Sequence, residues 1–236
     1  MSHVIPPGPG GPGIKRVCRL TSLDDNVFVL RYPSHGKIDV YDATNFILQR
    51  HITVPEVGRF WFGLAACPHN NCLYASDWDN DSVHKVELSG SNAVMKWSVA
   101  RGPGGLSLNS QHDLLVLSRK EKTLQIFRTN GTLIQNIQLQ ADIEHPWHAV
   151  QLPTGKFLVS HWGSLHRVCL VGVDGAVVRS FGGQKGSQLT EMNEPEGLAV
   201  DRQGRVLVAD GFNNRLLVID QTLTIGREMS VRVDGG

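Results

Sequence analysis

Glu194-Pro195-Glu196-Gly197-Leu198-Ala199-Val200-Asp201 opens a stretch that runs on through Gly204, Val206-Leu207-Val208-Ala209-Asp210, Asn213-Asn214-Arg215 and Leu217-Val218-Ile219-Asp220. Leu198 to Val200, Val206 to Val208 and Leu216 to Ile219 read as three short strands, and the more polar Ile225 to Val233 as a fourth. The turns between them are made of Gly, Asn and Asp, which accept the positive φ that tight hairpins impose. The same order returns in weaker form along the chain. Its Gly-Leu step falls at Gly63-Leu64, Gly105-Leu106 and His148-Ala149, and a first copy enters at Val17-Cys18. These anchors lie 46, 42, 43 and 49 residues apart. A period in the forties with four short apolar runs per copy is the pattern of β-propeller blades rather than of a helical solenoid.

The other copies follow the same grammar. Val27-Phe28-Val29-Leu30, Leu73-Tyr74-Ala75, Leu114 to Leu117 and Phe157-Leu158-Val159 occupy the second strand, and Ile38 to Tyr41, Val83 to Val86, Leu124 to Phe127 and Val168 to Val171 the third. Asn130-Gly131 and Asp174-Gly175 stand at third hairpins, where such pairs favour a type I′ turn. Ile134 to Leu139 alternates apolar and polar residues, as an outer strand with one wet face does. No helical periodicity is found. The expected fold is all-β, with five four-stranded blades.

Composition sets broad limits. The chain has 236 residues, 41% of them apolar, with 25 Gly, 11 Pro and a formal net charge of +1. A net charge so near zero gives no global pull toward nucleic acid. There is no apolar run long enough to span a membrane as a helix. Residues 1–13, with Pro6-Pro7-Gly8-Pro9-Gly10-Gly11-Pro12-Gly13, read as a flexible Pro/Gly-rich tail ahead of a domain covering 14–236. That tail lacks the basic start and apolar core of a secretory leader, so the expected location is cytoplasmic. Among the four cysteines, Cys67 and Cys72 are close enough to suggest zinc or redox chemistry. Their spacing fits two buried thiols flanking a four-residue hairpin turn better.

The fifth copy resembles the NHL repeat, whose pattern is Pro-x-Gly-hydrophobic-Ala-Val-Asp, a Gly turn, a strand ending in Ala-Asp, then Asn-x-Arg and a closing Val-hydrophobic-Asp. Pro195, Gly197, Ala199, Val200, Asp201, Gly204, Val208, Ala209, Asp210, Asn213, Arg215, Val218 and Asp220 match it. The second copy matches at Gly63, Ala65, Leu73, Ser76-Asp77, Asn80 and Val86 but has Ser82 in place of the Arg. The chain is most similar to the NHL propellers at the C-terminus of tripartite-motif ubiquitin ligases and their invertebrate relatives. The resemblance implies a recognition domain for protein or RNA, with ligase chemistry supplied by a RING that these residues do not contain. NHL propellers usually have six blades and five are legible here, so the domain is either a truncated six-bladed or a true five-bladed propeller.

Candidate chemistry concentrates at blade ends. Asp77-Trp78-Asp79-Asn80-Asp81-Ser82 has oxygen-rich spacing that would suit calcium, but it aligns with Asp210 to Arg215 and reads as a hairpin turn. No metal site and no cofactor motif is expected. Trp61 and Trp147 fall on blade connections, and Trp78 and Trp162 on second hairpins, so four of five Trp gather on one expected rim. Arg59, Arg101, His161, Asn213 and Arg215 join them, with Arg119, Lys120, Lys122, His145 and His166 nearby. Trp and Arg dominate protein-binding hot spots, and aromatic plus basic residues also suit stacked single-stranded RNA. The expected function is a non-catalytic scaffold for a protein or peptide, with RNA binding by the same face as the alternative. A metal-dependent lyase or hydrolase is a third reading. The positions that would converge on a channel mouth supply Phe62, Gly104, Trp147 and Glu196, only one of them a carboxylate.

Overall fold

The computed structural model describes residues 16–32, 36–58, 61–90, 92–224 and 226–229. The Pro/Gly-rich segment 1–13 lies outside them. Among the described residues, twenty strands form five four-stranded antiparallel sheets, each a propeller blade with its strands in chain order. Blade 1 is β1 (Arg16–Leu23), β2 (Asn26–Tyr32), β3 (Lys37–Asp42) and β4 (Leu48–Thr53). Blade 2 is β5 (Trp61–Cys67), β6 (Cys72–Asp77), β7 (Ser82–Glu87) and β8 (Val94–Ser98). Blade 3 is β9 (Pro103–Leu108), β10 (Leu114–Ser118), β11 (Thr123–Phe127) and β12 (Leu133–Gln138). Blade 4 is β13 (His145–Gln151), β14 (Phe157–Trp162), β15 (His166–Val171) and β16 (Val177–Gly183). Blade 5 is β17 (Pro195–Val200), β18 (Val206–Asp210), β19 (Arg215–Ile219) and β20 (Gly226–Met229). The helical content among described residues is one 3-10 turn at Gly211–Asn213. Of the expected fourth strand at Ile225 to Val233, Gly226–Met229 forms β20 and the rest lies outside the described residues.

The chain clusters into two compact units whose boundary falls inside β9, one ending at Leu106 and the other starting at Ser107. In the first unit, Phe28, Leu30, Ile38, Val40 and Ile52 of blade 1 pack with Leu64, Leu73, Ala75 and Val86 of blade 2. In the second unit, β14 is buried on both faces. Phe157 and Val159 point into a core with Leu115, Leu117 and Leu124 of blade 3. Leu158, one residue along, points into a core with Leu198, Val206, Val208 and Leu217 of blade 5. This explains why β14 reads as an unbroken apolar run: its side chains alternate faces, and both faces meet another sheet.

Polar contacts join the inner strands. Ser76 Oγ donates to Gly104 O at 2.8 Å in the first unit. In the second, Ser107 Oγ donates to Ala149 O at 2.6 Å, Ser160 Oγ to Glu196 O at 2.5 Å, and Leu198 N–H to His148 Nδ1 at 3.1 Å. Cys67 and Cys72 are buried, free and register partners across the turn at 68–71, as their spacing suggests.

The third hairpins differ from expectation. Gly131 N–H bonds Arg128 O, Arg128 N–H bonds Thr132 O, and Gly131 has φ +83° while Asn130 has no positive φ. This is a type I turn followed by a left-handed Gly, with a bulge at Ile126/Phe127, and not type I′. Asn130 Oδ1 accepts the Thr132 N–H, and Asp174 Oδ1 the Ala176 N–H, which favours the longer loop. The same bonding recurs at Leu152–Lys156, Gly172–Ala176 and Asp201–Arg205.

Two of these glycines allow a controlled comparison. Gly155 (φ +81°) has nothing within 4 Å of where a Cβ would sit, whereas at Gly175 (φ +83°) a Cβ would run into the Gln138 carbonyl of β12. Gly155→Ala should cost about 1 kcal/mol from backbone strain alone. Gly175→Ala should cost at least about twice that, read as the difference in melting transition by circular dichroism.

Candidate functional site

In the second unit, Asp210 ends β18 with no exposed surface and accepts three hydrogen bonds: Asn193 N–H at 2.7 Å, Asn213 Nδ2 at 2.7 Å and Arg215 Nε at 2.8 Å. Arg215 is the register partner of Asp210 on β19, which puts its guanidinium against that carboxylate. Its remaining N–H groups reach back to Ser187 O, Gln188 O and Glu191 O at 2.6–2.8 Å, and Asn213 Nδ2 also reaches Gly186 O at 2.8 Å. The Asp-x-x-Asn-x-Arg run is therefore a clamp on the loop ahead of β17. Asn213 and Arg215, read from sequence as partner-facing, spend their donors on backbone within the chain, and the Arg215 side chain is only 8% exposed. Exposed Leu189 and Phe212 sit on the clamped loop and turn instead.

The first unit repeats the clamp with altered parts. Asp77, at the end of β6, accepts Gly58 N–H at 3.1 Å, Asn80 Nδ2 at 2.8 Å and Asn80 N–H at 3.3 Å. Ser82 holds the place of Arg215, and the buried His84 brings Nε2 to 3.4 Å from Asp77 instead. Burial pushes the Asp77 carboxyl up, but the bonds from His84, Asn80 and Gly58 outweigh it and hold it below the usual range. Asp81 Oδ1 accepts the Gly102 N–H at 2.8 Å, so the acid-rich turn binds backbone. Among the described residues, no group of three or more His, Cys, Asp or Glu side chains is placed to hold a metal. Trp78 is half-buried with its ring 5.0 Å from Phe62, and Arg101 is exposed next to Gly102. Arg59 and the Trp61 side chain lie outside the described residues, although Trp61 itself opens β5 rather than lying on a connection.

Blade 4, in the second unit, places His161 where the other two blades have Asp. It is fully buried, and its Nε2 accepts from Arg167 Nε at 2.9 Å, so the ring carries its hydrogen on Nδ1. Burial, then the Arg167 charge, pushes its pKa down to about 4. His161, expected on the partner-binding rim, is thus a neutral internal side chain, while Arg167 pairs with Asp142 at 2.5 Å.

Beside it, the ends of blades 3 and 4 build an aromatic cluster. The Arg119 guanidinium carbon lies 4.3 Å from the Trp147 ring centroid and 5.7 Å from that of Trp162. The His145 ring lies 4.7 Å from Trp162, its register partner. Trp147 sits in the bulge between Pro146 and His148 of β13, which turns it off the strand's regular alternation. Trp162, Trp147 and Arg119 are half-buried, while His145 and Lys120 are exposed. Glu144 accepts Ser164 N–H at 2.7 Å and Ser164 Oγ at 2.5 Å, which lowers its pKa. Sequence reasoning placed Trp147 and Trp162 together. It also put Arg119 near that rim, but had no signal that Arg119 would meet both rings.

Fold and site define a β-propeller whose blade ends carry clamps and aromatic anchors. Residues 192–219 match the family model of the NHL repeat, a match that falls on blade 5. It is 26% identical over 124 residues to "Protein brain tumor" of Drosophila melanogaster, a stretch covering 50% of this chain and 11% of that one. The chain thus aligns with only about a tenth of that relative's length. Among solved structures it resembles a catalytically inactive virginiamycin B lyase from Staphylococcus aureus with quinupristin. The TM-score is 0.71 at 12% identity, over 96% of this chain and 73% of that one. It also resembles the WD40 β-propeller domain of Doa1, with TM-score 0.66 at 17% identity over 90% and 67% of the two chains. Identities this low speak to the fold alone.

Two outcomes follow from this geometry. Arg215→Ala leaves the Asp210 carboxylate buried with one charge partner gone, and should cost about 3–5 kcal/mol while exposing residues 186–191 to protease; Arg205→Ala, whose partner Asp201 is at the surface, should cost under about 1 kcal/mol. The second concerns acid. His161 and His166 both titrate below the ordinary imidazole value of 6.5, each chiefly through burial. Below that value the unfolded chain takes up protons the folded chain refuses, so stability falls as pH drops from about 6.5 towards 4. Asp77, held below its ordinary value, adds a further loss at lower pH. Melting curves across pH should show the upper loss shrink in His161→Gln.

Proposed function

We propose that this propeller is a non-catalytic interaction scaffold that takes a protein or peptide partner at the ends of blades 3 and 4. The observation that carries the reading is the Trp147–Arg119–Trp162 stack: two half-buried indoles and a guanidinium, the side-chain types that supply most binding energy at interfaces. The relation to "Protein brain tumor" and the NHL match support an interaction propeller. The lyase-like neighbour shares the blade architecture, and this reading gives the present chain no catalytic role. Within a longer protein such a domain would act as the recognition part, as in the tripartite-motif ligases it resembles, and the cytoplasm is the compartment we propose.

The test is a pull-down with the intact chain, with and without ribonuclease, followed by Trp162→Ala on whatever is captured. Loss of that side chain should weaken binding by about 2 kcal/mol, roughly thirtyfold, with a melting temperature close to wild type. A partner that disappears with ribonuclease, or affinity that falls steeply with added salt, identifies RNA instead. Lowered stability with unchanged binding per folded molecule would make Trp162 a packing element and defeat the proposal.

A further inference from the structure

We infer that blade 5 carries a second docking point, in which Leu189 and Phe212 take a partner segment whose apolar side chain is flanked by Lys or Arg. Leu189 is 49% exposed and Phe212 63%, and among the described side chains Phe212 is the one exposed aromatic ring. The hydrogen bonds that hold this loop and turn together use backbone atoms at both positions' neighbours. Asn213 and Arg215 hold the carbonyls of Gly186, Ser187, Gln188 and Glu191. The carbonyls of Asn193 and Glu194 accept the Phe212 and Gly211 N–H groups. A loop bound in this way would accept a polar residue at 189 and at 212, yet it carries Leu and Phe. The support is also stiff. Lys185 and Met192 form a β-bridge, and the Met192 side chain is fully buried in the core that blades 4 and 5 share. An apolar pair ordered beforehand loses little conformational entropy when a partner covers it, which is when such side chains contribute most to binding.

Charge selects the partner. Residues 184–196 and 210–215 hold four acids, Glu191, Glu194, Glu196 and Asp210, against Lys185 and Arg215. Arg215 is matched by Asp210, and Glu228 adds a carboxylate 3.5 Å from the same guanidinium. Glu194 stands beside Phe212 through its bond to Gly211, and the Glu196 carboxyl carbon lies 3.3 Å from where a Cβ on Gly211 would sit. This surplus of negative charge around the apolar pair attracts a basic segment and disfavours a polyphosphate strand.

The experiment is selection of random linear peptides displayed on phage, run in parallel on the intact chain and on a Leu189→Ser, Phe212→Ser double variant. Support is enrichment, on the intact chain alone, of peptides with Leu, Ile, Phe or Trp beside Lys or Arg. Resynthesised, these should bind each single variant about tenfold more weakly, with the melting transition by circular dichroism unchanged. Glu191→Gln combined with Glu194→Gln keeps an acceptor for the Gln188 N–H and should weaken the same peptides several-fold while flattening their salt dependence. Peptides that bind the double variant equally overturn the inference; if Trp162→Ala abolishes them, they belong to the ends of blades 3 and 4 and the scaffold reading stands. Enrichment of no peptide, enrichment only of peptides without Lys or Arg, or a labelled oligouridine whose binding is lost in Phe212→Ser also overturns it. So does a melting transition lowered by either serine, since that side chain would then be packing within the chain.

Discussion

A carboxylate buried at the end of a second strand sets the geometry of two blade ends in this chain. Asp210 and Asp77 each accept a backbone N–H from the incoming connection and two N–H groups from the Asn of the following turn or its neighbours. A charge so placed is tolerated only because every approach to it is a donor. Remove the donors and the connection has nothing to close on. The inner strands then lose the position from which Ser76 and Ser160 reach the next blade's carbonyls.

The apolar architecture obeys a simpler constraint. Because β14 is covered on both faces by different neighbours, Phe157 and Leu158 serve separate cores although adjacent in sequence. Outer strands have no such double duty. Leu133 and Ile134 in β12 and Val178 in β16 stay exposed. Single exposed apolar residues are ordinary on a folded surface.

Much of this was legible in advance, for physical reasons. Strand order and blade number followed from hydrophobic period and turn residues, which are local. The motif Asp210, Asn213 and Arg215 was visible as a pattern, but its task was not: a guanidinium bonding carbonyls at Ser187, Gln188 and Glu191 leaves no mark on those residues, since any residue has a carbonyl. His161 misled because its burial is fixed by sheets packed around it and not by its neighbours in sequence. The type I′ assignment at Asn130-Gly131 failed through one competing bond, from Thr132 N–H to the Asn130 side chain. Arg119 meets Trp147 and Trp162 only through tertiary packing.

On the loop it holds, the clamp at Arg215 bonds backbone carbonyls and no side chains, and it sits in the copy with the widest spacing, 49 residues from the anchor before it. A socket for carbonyl oxygens places no demand on what Ser187, Gln188, Leu189 and Thr190 carry outward. In engineering terms, these four positions are a display cassette on a fixed mount. Foreign side chains could be grafted there, as in a hypervariable loop, while Asp210, Asn213 and Arg215 keep the frame.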